Sequence, residues 1–234
     1  MNPPPDIHYI DVAPWCGLRE PFSSLSHLLG AAVFAGLGYH LIRRGRGDWV
    51  RTASLSVLVA ASVELLITSG IYHMYEPGPV RKVMLRLDVA SVFLLIAGSM
   101  TPVHAILFKG RSRQVGLVLV WTVAITGIIW RVLFCQDTPG PEGIAFFLLF
   151  GWGSATTAVV LWRRFGWTFI RPAVFSGLAY TAGAIGLVLN RPILVPGIIG
   201  PHEVWHIAVL TALGLQWRFV YQFASGDPRY ITEK

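Results

Sequence analysis

Charge is what this chain of 234 residues has least of: Asp, Glu, Lys and Arg together make 13% of it. An ordinary soluble domain carries about twice that share, which excludes a solvated globular surface. No period of about 20 to 50 residues recurs, so repeat arrays are excluded as well. The apolar stretches lack the strict apolar–polar alternation of a membrane β-barrel. No basic segment stands before the first of them, which instead follows a polar, Pro-rich lead, so a cleavable signal peptide is not expected.

What the chain has instead is 54% hydrophobic residues and a mean hydropathy of +0.58. Apolar runs of a length that crosses a bilayer as a helix fall at 23–42, 52–73, 87–108, 114–134, 144–162, 173–189 and 203–223. Backbone groups in lipid need partners within the segment, so such continuous runs read as helices. The expected fold is all-α: one bundle of seven transmembrane helices over 23–224, between an N-terminal tail 1–22 and a C-terminal tail 225–234.

The net charge of +7 does not mark a nucleic-acid surface, because the basic residues sit in loops between apolar runs. Let side A hold the N-terminus. Side B loops then carry Arg43, Arg44, Arg46, Arg51, Lys109, Arg111, Arg113, Arg163, Arg164 and Arg171. Side A carries fewer: Arg19, Arg81, Lys82, Arg86, Arg131 and Arg191. The positive-inside rule makes side B cytoplasmic, with the N-terminus outside and the C-terminus inside. Cys16 and Cys135 both fall on side A, where an oxidising compartment would let them pair.

Polar residues within the spans are the informative ones, since an ionisable group in a membrane helix is costly and functional by default. Counting spans brings His27, Ser69, His73, Asp88, His202 and His206 to side A, with Asp88 in the first turn of the third helix. His202 and His206, four apart, share one helix face about 6 Å apart along the axis. Ser69 and His73 have the same spacing. Three neutral imidazoles with an open position for water form a known catalytic zinc arrangement, in which the ion acidifies the water. Asp88 could then accept a proton or orient the water, and Ser69 could bond the water or a developing oxyanion. Competing readings are interhelical hydrogen bonding by the histidines, a structural zinc, and pairing of Asp88 with Arg86 or Lys82.

The stretch HEVWH at 202–206 also matches the metalloprotease signature. That reading needs a further ligand downstream. The chain after His206 has no histidine, and its acidic residues, Asp227 and Glu233, lie in the polar tail. Glu203 points about 100° around the helix from His202, towards a neighbouring loop. His27 reads as a packing or supporting residue, and His40 and His104 as interfacial. Trp15, Tyr72, Trp130, Trp167 and Tyr180 fit an interfacial aromatic belt. Gly177, Gly183 and Gly186 permit close helix approach.

Five stretches taken in order carry a resemblance: EPFSSLSHLLG (20–30), SGIYH (69–73), RLDVASVFLLIAGSMTP (86–102), SGLAYTAGAIG (176–186) and HEVWHIAVL (202–210). The chain resembles the hemolysin III and adiponectin/progestin receptor family, within the superfamily that includes alkaline ceramidases. The resemblance runs from Glu20 to about Phe223. It implies a seven-helix bundle holding one Zn²⁺ on His73, His202 and His206, with Ser69 and Asp88 around the water. It also implies hydrolysis of a lipid amide such as ceramide. A receptor or sensor with a structural zinc, or a hemolysin-like protein, is the other expectation. The ligand positions put the site roughly 5–10 Å below the side A surface, the depth of the linkage region of a membrane lipid. The expected partners are therefore membrane lipids, with no nucleic acid.

Overall fold

The computed structural model describes residues 12–15, 17–134 and 141–228. The expected Cys16–Cys135 pairing and most of both tails lie outside these residues. Among them the order is α1 (Pro21–Arg44), α2 (Trp49–Tyr72), α3 (Pro79–Leu107), α4 (Gly110–Phe134), α5 (Pro141–Trp152), α6 (Ala155–Phe165), α7 (Trp167–Val188) and α8 (Pro201–Tyr221). Five stretches are long and apolar enough to cross a membrane: α1, α2, α3, most of α4, and Phe146–Phe165 across α5 and α6. α7 and α8 have 22 and 21 residues, about 30 Å at 1.5 Å per residue, which matches the hydrocarbon thickness. Their hydropathy is lower because α8 opens on HEVWH and α7 carries Arg171, Ser176 and Thr181. The chain is an all-α, multi-pass membrane protein.

Local chemistry sets the helix ends. Pro opens α1, α3 and α8 within the first turn, where its missing N–H costs nothing. Asp48 caps α2 by accepting the Arg51 N–H at 3.0 Å. Two boundaries differ from the sequence expectation. α3 begins at Pro79, eight residues before the apolar run, so Arg81, Lys82 and Arg86 are helical rather than in a loop. Asp88 accordingly lies in the third turn, not the first. The fifth run is not one helix but two, broken at Gly153–Ser154. Ser154 Oγ donates to Gly151 O at 2.7 Å, a local bond that competes with helix continuation.

Small residues let the helices bearing the site approach closely. A Cβ on Gly70 would stand 2.7 Å from Leu28 Cγ and 3.2 Å from Ser24 O, so α1 and α2 touch there. A Cβ on Gly183 would stand 2.5 Å from Ala208 Cβ, which brings α7 against α8. Gly177 does not behave as expected: it faces open space beside a cavity. Gly186 approaches the Arg191 carbonyl of its own following loop, not a helix. His104 is not interfacial but buried, because Gly116 of α4 leaves room for its ring. Tyr72 is buried too, beneath the Arg81 guanidinium at 4.5 Å, and Tyr180 lines the cavity rather than a belt.

Candidate metal centre

Three elements supply the site. His73 caps the C-terminus of α2, with its N–H bonded to Ser69 O at 3.1 Å. His202 and His206 lie one turn apart at the start of α8. One ring nitrogen from each lies within 4.8 Å of the others. His73 and His206 are buried, and His202 is half-buried. The facing Nε2 atoms of His73 and His202 are 3.4 Å apart. That is long for a hydrogen bond. Two imidazole nitrogens held at about 2.0–2.1 Å by one tetrahedral ion would stand about 3.3–3.4 Å apart. The donor set therefore fits a metal ion better than it fits direct histidine–histidine bonding.

A carboxylate holds His73. Glu20 Oε2 lies 2.5 Å from His73 Nδ1, which leaves Nε2 as the ligand atom. Glu20 Oε1 accepts from Arg81, whose guanidinium also donates to the Tyr75 carbonyl. Burial pushes the Glu20 carboxyl up, but the His73 hydrogen bond and the Arg81 guanidinium outweigh it and hold it below the ordinary carboxylate range.

Asp88 on α3 and Ser69 on α2 lie beside each other at the α2–α3 seam. With His27, His202 and His206 they line the end of a cavity of about 280 Å³. No ion pair joins Asp88 to Arg86 or Lys82 among the described residues. The His27 ring lies against that of His206, centroids 3.9 Å apart and planes tilted by 32°. Beyond that end the lining is mostly apolar, passing Val92, Leu95, Val103, Leu161 and Phe219, with Ser99, Ser176 and Gln216 among them. Asp88 to Val103 on α3 is about 22 Å of helix, longer than the hydrocarbon of one leaflet, about 15 Å.

Glu203 sits away from the metal cluster. Its carboxylate accepts the Ser23 hydroxyl at 2.9 Å and the Gly200 N–H at 2.9 Å. It closes the N-terminus of α8 and ties that helix to α1. With both oxygens engaged and the residue buried, it is not placed as the base of a metalloprotease.

Two groups escaped the sequence reading. Glu20 was legible only as a resemblance, since nothing in its spacing ties it to His73, 53 residues on. Glu64, an acid within an apolar run, was a direct signal. It accepts from Ser91 at 3.0 Å and Thr68 at 3.2 Å on the α2–α3 seam.

A helical multi-pass membrane protein with three clustered histidines, two of them lining one end of a mostly apolar cavity, is the class that fold and site define. The Haemolysin-III related family matches residues 17–217, and the chain belongs to that family. It is similar to "Hemolysin-3" of Bacillus cereus, 26% identical over 196 residues, which cover 82% of this chain and 85% of the relative. It is also similar to "Hemolysin-3 homolog" of Bacillus subtilis (strain 168), 22% identical over 157 residues, covering 67% and 70%.

Proposed function

We propose that the protein is a zinc-dependent intramembrane hydrolase that cleaves the amide of a membrane lipid such as ceramide. The observation that carries this reading is the pairing of a three-histidine cluster with Asp88 and Ser69 at the polar end of a long apolar cavity. An acyl chain fits the apolar length, which leaves its carbonyl at the polar end. His73, His202 and His206 would hold the ion, and three imidazoles with room for water is a zinc donor set. Bound there, Zn²⁺ supplies a Lewis acid and lowers the pKa of its water to about 7.

The chain's own residues complete the reaction. Asp88 takes the proton of the water whose oxygen adds to the carbonyl carbon, then gives it to the nitrogen as the C–N bond breaks. The products are a fatty acid and an amine. Ser69, which lines the same end of the cavity as Asp88, would hydrogen-bond the water or the developing oxyanion. The apolar walls exclude bulk water from the competing volume.

A receptor or sensor with a structural zinc, or a pore, is the second reading, and the relatives' hemolysin names favour the pore. The titratable residues of the cavity gather at one end, while Ser99, Ser176 and Gln216 are polar groups deeper in; a conducting path for ions would favour charged groups along its length. The charge asymmetry of the loops supports an outside N-terminus and thus a site opening to the outer leaflet. A ceramide-hydrolysis assay on metal-loaded protein decides between the readings. Release of fatty acid by the wild type and none by Asp88→Ala supports the hydrolase. Metal-loaded wild type that cleaves no lipid amide sinks it.

A further inference from the structure

We infer that Glu20 and Arg81 are positioning residues that set the metal affinity of the site through His73, an assignment that rests on the metal-centre reading. The need for them comes from where His73 stands. His202 and His206 project from the continuous body of α8, whose backbone fixes them. His73 lies just past the last turn of α2, at its C-cap, where a helix frays most readily. Its ring has to be held from outside the helix.

Glu20 does this at two levels. Its backbone N–H donates to the His73 carbonyl at 3.1 Å, and the neighbouring Arg19 N–H donates to the Met74 carbonyl at 3.3 Å. Its side chain receives the His73 Nδ1 proton at 2.5 Å. A carboxylate in that position selects the tautomer with Nε2 unprotonated, fixes the ring plane and raises the basicity of the ligand atom. Nε2 is the atom that faces His202 at 3.4 Å.

The carboxylate is itself held. Arg81 binds its second oxygen and the Tyr75 carbonyl, and its guanidinium lies over the Tyr72 ring at 4.5 Å. The guanidinium offsets the negative charge that Glu20 brings beside the cluster. The resulting chain runs from Arg81 through Glu20 to His73. It links the basic first turns of α3 to the metal site.

The test measures zinc affinity by competition with a chelator on the purified full chain in detergent. Samples are wild type, Glu20→Gln, Arg81→Met and the double variant, with the melting temperature of each metal-free protein recorded alongside. Glu20→Gln should bind zinc about 10–100-fold more weakly, yet reach the wild-type stoichiometry at saturating zinc. Arg81→Met should weaken binding by a smaller factor. The double variant should be no weaker than Glu20→Gln alone, because both act along one path. Cobalt-substituted Glu20→Gln should also show a shifted visible spectrum. If Glu20 serves only to tether the chain, the metal-free melting temperature falls while affinity and spectrum stay at wild type, and the inference is overturned. Should Glu20→Gln not fold, an unchanged affinity in Arg81→Met overturns it equally. Wild type that binds no zinc sinks the metal-centre reading itself, which separates that failure from this one.

Discussion

At the scale of single residues, two acids near the histidines are placed differently, and the sequence alone does not separate them. Glu203 lies inside HEVWH, yet both its oxygens are used by Ser23 and Gly200. Glu203→Gln keeps the size but loses one acceptor in a buried position. It should cost about 1–3 kcal/mol of stability and leave the metal content unchanged, which a thermal melt beside metal analysis would check. Asp88 should behave the other way. Asp88→Ala should keep the metal and the fold and lose about 10²- to 10⁴-fold in turnover, read by single-turnover hydrolysis. The residues that the i and i+4 spacings singled out do come together in space, because those spacings fix a helix face and the span count fixes a membrane side. Glu20 did not stand out, because its partner is far along the chain and only packing joins them. Tyr72 and His104 were misplaced for a related reason: an aromatic or histidine near a span end is equally suited to the interface and to a gap left by a neighbouring small residue.

At the scale of elements, the helices were legible because apolar length is a one-dimensional signal. Their ends were less so. The first turns of α3 are basic, and hydropathy cannot see a helix that continues beyond the apolar run. The break between α5 and α6 depends on Ser154 bonding back to Gly151, a competition that no apolar count registers. The glycines show the same limit, since Gly183 touches α8 while Gly177, two turns earlier, faces the cavity. Gly183→Leu should wedge α7 from α8, cost about 1–3 kcal/mol by overpacking and weaken metal binding, because α8 bears two of the ligands. Gly177→Ala should stay within about 0.5 kcal/mol of wild type. Chelator competition and melting curves on the pair would show whether the helix contact, rather than glycine content, governs the site.

At the scale of the whole molecule, the bundle sets three histidines, Asp88 and Ser69 at one end of a mostly apolar cavity, and the proposed hydrolysis of a lipid rests on that arrangement. The proposed orientation rests on the charge of the loops. With side B cytoplasmic, a cysteine placed at Ser112 in a Cys16→Ser/Cys135→Ser background should react with a membrane-impermeant thiol reagent only after the membrane is permeabilised. Labelling in intact cells would reverse the orientation and move the site to the inner leaflet. The metal itself is the claim on which the rest depends. Its most direct test is the metal content of protein purified without chelator, for wild type, His73→Ala and His206→Ala. The expected result is about one zinc per wild-type chain, the count of a single three-histidine site, and its loss in both variants. Folded wild type with no bound metal would contradict the account and leave the histidines as packing residues.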